Sequence, residues 1–173
     1  GPGGGETVNP GISSPIPGGC LATTDGLGQV ATTFRSGNAP GTATVFAFLD
    51  NNPANGAMDG GEVRTSVPIQ MVAGPPDTIL RVSTNPTQVS PSGSGLNQTS
   101  QVVFEVRDVL GNPVQDGTCV LFELTGPTSP PGEENLAPDD SLPCVGLTVN
   151  GQVTTTYRSG SMTGSAQITA FLD

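Results

Sequence analysis

The sequence predicts an all-β protein built as a β-sandwich, and three observations support this fold class. Apolar and polar residues alternate in short runs, stretches rich in glycine and proline separate these runs, and no stretch has a helical period. The 173 residues include 25 Gly and 17 Pro, without the strict period of collagen. About seven short strands with turn signals between them are typical of a sandwich of two sheets.

Period-two alternation places the strands along the chain. The predicted strands are Thr32–Phe34, Thr42–Leu49, Glu62–Val72, Thr78–Ser83, Gln101–Arg107, Thr118–Leu124, Leu147–Tyr157 and Ser165–Leu172. Asp108–Pro113 is predicted to turn, because its Gly and Asn tolerate positive φ. Gly126–Pro143 is predicted to be a long polar loop.

Two of these strands predict the core most clearly. Gln101–Arg107 places three apolar side chains on one face, and Thr118–Leu124 places three more on one face of the next strand. The six predicted core residues are Val102, Phe104, Val106, Val120, Phe122 and Leu124.

An internal repeat organises the chain. Residues 28–50 (GQVATTFRSGNAPGTATVFAFLD) and 151–173 (GQVTTTYRSGSMTGSAQITAFLD) align without a gap at an offset of 123, with 14 of 23 positions identical. Such self-similarity is typical of repeat architectures. We therefore expect two successive repeats joined at Gly74-Pro75-Pro76. Residues 1–74 are the C-terminal part of one repeat, with Glu62–Val72 as its closing strand, and residues 75–173 are the next repeat without its last strand.

Both repeats are therefore expected to be incomplete, with strand edges that something else must cover. One account is that the chain is a piece of a longer covalent array. Another is strand donation between subunits, in which the closing strand of one copy completes the second repeat of another. A third is that the ends stay open. The donor candidate comprises Glu62, Val63, Arg64, Thr65, Ser66, Val67, Pro68, Ile69, Gln70, Met71 and Val72.

Several motifs resemble the bacterial immunoglobulin-like domains of the invasin and intimin type. They are D-x-x-G-N-P-V at Asp108–Val114, V-x-F at Val120–Phe122, N-G-x-V-x-x-x-Y-x-S-G at Asn150–Gly160 and G-x-A-x-I-x-A at Gly164–Ala170. The resemblance covers roughly residues 26–173. It implies tandem immunoglobulin-like β-sandwiches.

The function that the resemblance implies is structural. Members form rods of tandem domains on bacterial surfaces, so we expect a cell-surface stalk or an extracellular filament whose partners are neighbouring copies of the repeat. The alternative is an adhesin module that binds a host protein or a glycan. The near-identity of the two repeats favours the spacer or filament role.

Composition excludes several other functions. The chain has 15 acidic residues, five arginines and no Lys, His or Trp, which gives a formal net charge of −10. An imidazole base, a Ser/His pair and a Schiff-base lysine are therefore absent, and we expect no enzymatic activity. The basic patch that nucleic acid requires is missing, and no apolar run is long enough to span a membrane.

The loop DNNPANGAMDGGE is a candidate calcium site. Calcium prefers six to eight oxygen ligands on a flexible loop with a glycine at the sharp turn. The loop resembles the D-x-N-x-N-G-x-x-D-x-x-E pattern, with one extra residue before Asn55. The candidate ligands are Asp50, Asn52, Asn55, Asp59 and Glu62. The alternative is a polar loop with Asn/Gly turn chemistry.

The three cysteines are expected to be structural. In an exported acidic protein, Cys119 and Cys144 within one repeat predict a disulfide bond. Cys20 is the repeat counterpart of Cys144, so its predicted partner is a cysteine outside this chain. Separately, Asn97-Gln98-Thr99 fits the N-x-T pattern, which makes Asn97 a candidate glycan acceptor.

Overall fold

A computed structural model describes residues 7–9, 24–49, 59–127, 134–137 and 146–172. Within these ranges all regular structure is β-strand and all strand pairs are antiparallel, which confirms the predicted fold class at the all-β level. The chain divides into two compact units, Gly1–Val72 and Ala73–Asp173, called here the first and second units.

The first unit contains two small sheets. Its strands are β1 (Thr7–Asn9), β2 (Thr33–Arg35), β3 (Gly41–Phe48) and β4 (Arg64–Met71). Strand β1 pairs with β2, and β3 pairs with β4 along eight residues of each strand. The three strands predicted in this part of the chain are confirmed, with ends that differ by one or two residues.

The second unit contains two larger sheets. Its strands are β5 (Pro76–Asn85), β6 (Thr99–Asp108), β7 (Cys119–Thr125), β8 (Asn135–Ala137), β9 (Gly146–Leu147), β10 (Gln152–Arg158) and β11 (Gln167–Phe171). One sheet has the order β5-β6-β10-β8, and the other has the order β11-β7-β9.

Side chains from both sheets form one core in the second unit. Val102, Phe104 and Val106 of β6 are buried, as are Val120 and Phe122 of β7. The rings of Phe104 and Phe122 pack with their centroids 5.7 Å apart. The alternation predicted for these strands is confirmed, and Leu124 is partly buried against the same core. Two sheets that share a core are consistent with a β-sandwich.

The prediction of a continuous polar loop over Gly126–Pro143 is wrong. Strand β8 lies within that range and pairs with β10, with Leu136 opposite Tyr157. Leu136 is 4% exposed and belongs to the core. A single buried leucine thus makes a strand out of a segment that is otherwise polar, because its burial and the ladder to β10 outweigh the poor local propensity.

The prediction of a single strand over Leu147–Tyr157 is also wrong. Asn150 and Gly151 have φ angles of 51° and 73°. Val149 and Gln152 exchange backbone hydrogen bonds of 2.7 and 3.0 Å around them. Positive φ at both central residues is the type I′ hairpin turn that Asn-Gly favours. The turn separates β9 from β10, which belong to different sheets.

Strand pairing in the first unit has the same register as strand pairing in the second unit. In β1–β2, Phe34 lies opposite Val8, and in β10–β8, Tyr157 lies opposite Leu136. Phe34 and Tyr157 are separated by the repeat offset of 123 residues. The pairs on either side, Arg35 with Thr7 and Arg158 with Asn135, agree as well.

Candidate functional site

Among the described residues of the second unit, strand β11 lies at the edge of its sheet. It pairs with β7 on one side, and no strand of the described residues pairs with its other side. Ile168, Ala170 and Leu172 pack against the core without being buried, and Phe171 is 43% exposed. Among the described residues β11 is therefore an edge strand, and such strands present backbone N–H and C=O groups on their outer side.

Among the residues that the structure describes, the first unit buries far fewer apolar side chains than the second. Among its described residues, Ala43 and Met71 are the buried apolar ones. Val30 is 53% exposed, whereas Val153, which follows it by the repeat offset, is 3% exposed. The same valine is therefore covered in one unit and open in the other, although the surrounding sequence is nearly the same.

The β3–β4 hairpin carries an apolar face that is partly covered. Ala43 lies opposite Ile69, and Val45 lies opposite Val67. Because alternate residues of a strand point to the same face, these four side chains share one face of the hairpin. Val67 is 54% exposed. This face has the composition of a core surface and is partly covered: Ala43 is buried, and Val45 and Ile69 are half-buried.

The predicted donor segment, Glu62–Val72, coincides with β4 and its two flanks. In this structure the strand pairs with β3 of its own chain. Pro68 lies in the middle of β4, opposite Thr44. Proline has no N–H, and within sheets it occurs on edge strands with its nitrogen toward solvent. One side of β4 is therefore suited to pairing and the other is not.

The candidate calcium loop lies mostly outside the described residues, because Asp50, Asn52 and Asn55 fall there. Of the other two candidate ligands, Glu62 is 8% exposed, and its carboxylate accepts a 2.9 Å hydrogen bond from the backbone N–H of Asp59. Within the described ranges no three acidic, Cys or His side chains form a group that could hold a metal ion. Calcium binding stays a prediction.

Cys119 is the first residue of β7 and is partly buried. It lies opposite Leu147 of β9, which follows Cys144 by three residues in the sequence. Thr148 fixes this contact, since its hydroxyl accepts a 3.0 Å hydrogen bond from Thr118 N and donates one of 2.8 Å to Gln115 O. Cys20 and Cys144 lie outside the described residues, so the predicted pairing stays a prediction.

The best organised polar cluster centres on Asp108, which is 3% exposed. Its Oδ1 accepts hydrogen bonds from Leu110 N (2.9 Å) and Asn112 N (2.8 Å). Its Oδ2 accepts from Asn112 Nδ2 (3.0 Å) and Gly74 N (2.9 Å). The side-chain amide of Asn112, helped by the three backbone donors, lowers the pKa of Asp108 against the opposing effect of burial.

Asp108 therefore organises the turn after β6 and ties the start of the second unit to it. The sequence predicted the turn itself, and Gly111 adopts the positive φ of 83° that was expected of a glycine there. The hydrogen bond to Gly74 was not predicted, because 34 residues separate the two partners.

Asn97 lies on an exposed loop before β6. Its Oδ1 accepts 3.3 Å hydrogen bonds from the backbone N–H and the hydroxyl of Thr99. The asparagine and threonine of the N-x-T pattern therefore contact each other directly. Whether a glycan is attached stays a prediction.

One sequence signal for β8 was missed. The segment Glu134-Asn135-Leu136-Ala137-Pro138 matches Glu6-Thr7-Val8-Asn9-Pro10 in its glutamate, central aliphatic residue and proline. The three central residues of each segment form β8 and β1, respectively. The offset here is 128 residues rather than 123, so an ungapped comparison overlooks it.

No helix among the described residues is long and apolar enough to cross a membrane. No protein-family model, curated protein or solved structure matches this chain.

Proposed function

We propose that this chain is a structural extracellular protein whose tandem immunoglobulin-like repeats form a cell-surface stalk or filament. Neighbouring repeats or subunits are its partners, and it carries no catalytic site. The observation that carries the proposal is the strand order of the second unit combined with the internal repeat.

The strand order supports the immunoglobulin-like assignment. Constant-type immunoglobulin domains place strands A, B, E and D in one sheet and C, F and G in the other. Here β5, β6, β10 and β8 follow the order A-B-E-D, and β7 pairs with β11 as C pairs with F. In the first unit β4 pairs with β3, the counterpart of β11, as G pairs with F.

The repeat supports the stalk or filament role. Near-identical sequence recurs at an offset of 123 residues, and β1–β2 and β8–β10 pair in the same register. A protein built of similar units contacts mainly its neighbours, so length and stiffness follow from the number of units. A recognition domain has no such need for near-copies.

The cysteines support an oxidising compartment. A disulfide bond at Cys119 belongs to this proposal. Disulfide bonds persist in extracellular proteins and are rare in the cytosol. We propose Cys144 as the partner, because the strand register brings the segment just after it beside Cys119. Calcium bound in the loop between β3 and β4 belongs to the same proposal.

The test is the mass of the native material before and after reduction and boiling. Under native conditions we expect assemblies much larger than 17.3 kDa. A very large species that survives boiling and reduction indicates a covalent array, and collapse to a small subunit indicates a non-covalent fibre. Native material that light scattering finds monomeric at 17.3 kDa would contradict the proposal.

A further inference from the structure

We propose that Asn150 is a site of spontaneous deamidation that the fold holds inactive, so that the reaction proceeds only when the turn between β9 and β10 opens. The reacting groups are the side-chain amide of Asn150 and the backbone nitrogen of Gly151. This inference concerns a covalent modification and does not depend on the proposed repeat function.

The reaction needs only these two residues and water. The Gly151 nitrogen loses its proton and bonds to Cγ of Asn150, while the Cγ–Nδ2 bond breaks and ammonia leaves. Water then opens the cyclic imide at one of its two carbonyl carbons, which yields either aspartate or isoaspartate. Because glycine has no side chain to hinder the attack, an Asn-Gly pair is especially prone to this chemistry.

The backbone conformation of Asn150 opposes closure of the imide ring. Its φ of 51° lies in the left-handed region, where ψ is about +47°. At that ψ the Gly151 nitrogen lies nearly opposite Cβ about the Cα–C bond, whereas ring closure requires the two on the same side. The attack therefore requires the peptide between Asn150 and Gly151 to rotate far out of the turn conformation.

Contacts on both sides of the rotating bond resist this movement. The Asn150 N–H donates a 2.6 Å hydrogen bond to Oδ1 of Asp116. The carbonyl oxygen of Gly151 accepts a 2.8 Å hydrogen bond from Val106 N, and Gly151 itself is buried against Pro113. Asn150 is exposed to water, so conformation and not access limits the reaction. Local opening of the turn must come first.

The first unit has a different turn at the equivalent position. Leu27 and Gly28 stand where the second unit has Asn150 and Gly151. There Oδ1 of Asp25 accepts a 2.9 Å hydrogen bond from the backbone N–H of Leu27. Leucine has no side-chain amide, so this turn of the first unit cannot undergo the reaction.

Deamidation would make an opening of the turn permanent. Isoaspartate routes the chain through Cγ and so adds one carbon to the backbone, which the two-residue type I′ turn cannot accommodate. Either product also places a new negative charge close to the carboxylate of Asp116. Since β9 and β10 belong to different sheets, the loss of this turn weakens a connection between the two sheets of the second unit.

The experiment incubates the full chain at mildly alkaline pH, in buffer and in concentrated urea, and follows deamidation by peptide mass spectrometry. We expect Asn150 to react at least about tenfold more slowly in buffer, because only the open fraction of the folded chain reacts. Asn112 is the internal control and should stay unmodified in both solutions, since Pro113 has no N–H to lose. Equal rates at Asn150 in the two solutions would overturn the proposal.

Asp116→Ala tests how the turn is held closed. Loss of the acceptor for Asn150 N–H should raise the rate in buffer at least about threefold and leave the rate in urea unchanged. The matched control, Asp77→Ala, removes an exposed carboxylate of the same unit and should react like the wild type in both solutions. Amide hydrogen exchange in β6 verifies that each variant is folded.

Two results for the Asp116 variant would contradict the assigned mechanism. An unchanged rate in buffer, with β6 still protected, would show that this turn does not control the reaction. A rate that also rises in urea would show that the carboxylate of Asp116 acts on the chemistry itself and not on opening of the turn.

Discussion

Asp108 illustrates how much one buried side chain organises in this protein. Its two oxygens accept four hydrogen bonds, three from residues of the turn after β6 and one from Gly74 at the start of the second unit. Buried carboxylates are tolerated when donors satisfy them, and these donors also favour the charged form.

Replacing Asp108 by Asn should destabilise the second unit at neutral pH. The amide nitrogen that replaces Oδ2 cannot accept from Gly74 N or Asn112 Nδ2. Because the pKa of Asp108 is lowered from 3.8 on folding, its stabilising effect is present above that value and is lost as pH falls through the folded pKa. Urea midpoints measured across acid pH should therefore converge for the two proteins.

Asp77→Asn is the control for this experiment, because Asp77 is exposed in the same unit. Its urea midpoint should stay close to that of the wild type. A constant difference between Asp108→Asn and wild type across the whole acid range would contradict the assigned role of the Asp108 charge.

Ionisation of Tyr157 affects the stability of the fold at alkaline pH. Burial is the main effect that raises the pKa of Tyr157 above 10.0, and the nearby carboxylate of Glu134 adds to it. This carboxylate accepts a 3.3 Å hydrogen bond from the Tyr157 hydroxyl. Stability that depends on the protonated phenol is complete below the unfolded pKa and is lost as pH rises through the folded pKa. Tyr157→Phe, which installs the residue found at the equivalent Phe34, should remove part of the alkaline loss of melting temperature. An unchanged alkaline melting curve would argue against this.

At the scale of elements, the sequence predicted the strands that alternate and missed those specified by long-range contact. Strands β6 and β7 could be predicted because each places apolar residues at every second position. Strand β8 could not be predicted by alternation, since Leu136 is its single core residue. The break between β9 and β10 was readable from Asn150-Gly151, but apolar residues on both sides suggested continuity.

The Asn150-Gly151 turn offers a quantitative test. A Cβ at Gly151 would lie 2.6 Å from Pro113 Cβ and 3.3 Å from the Val106 carbonyl oxygen, at a φ of +73°. Gly151→Ala should therefore lower the free energy of unfolding by about 2–4 kcal/mol, from backbone strain plus overpacking.

Gly117→Ala separates these two contributions. Gly117 has a similar φ of +85° but open space around its Cβ position. Its cost should be backbone strain alone, about 1–2 kcal/mol. Equal losses for the two variants in urea denaturation would mean that the contact with Pro113 is unimportant.

The loop between β3 and β4 is the second test at this scale. If it binds calcium as predicted, millimolar calcium should raise the melting temperature relative to a chelator. A hundredfold excess over Kd corresponds to about 2.7 kcal/mol. Asp50→Asn should abolish the shift and Asp77→Asn should retain it. A melting temperature that does not change with calcium would indicate that the loop is an ordinary polar turn.

At the scale of the whole molecule, the two units share sequence but differ in burial. Val153 is 3% exposed and Val30 is 53% exposed. The sequence predicted the strand that became β4, whereas the tandem repeat and the joint near Gly74 stay predictions. It did not predict how unevenly the two units are packed, because packing depends on which strands surround a repeat and not on the repeat itself.

This difference predicts uneven protection. In hydrogen exchange of the isolated chain, backbone amides of β6, β7 and β10 should exchange slowest, because these strands supply most of the core. Backbone amides of the β3–β4 hairpin should exchange much faster, because local opening is enough to expose them. Equal protection of both units in a monomeric sample would show that the first unit is stable without a partner.

Pro68 has a consequence for how an assembly of these chains would grow. A sheet that ends in β4 ends in a strand whose outer side lacks a donor at its centre. Addition of strand after strand to one sheet, as in amyloid-like material, needs ladder hydrogen bonds on both sides of each strand. Pro68 therefore hinders the addition of a further strand to the outer side of β4, so a sheet that ends in this strand resists growth beyond it.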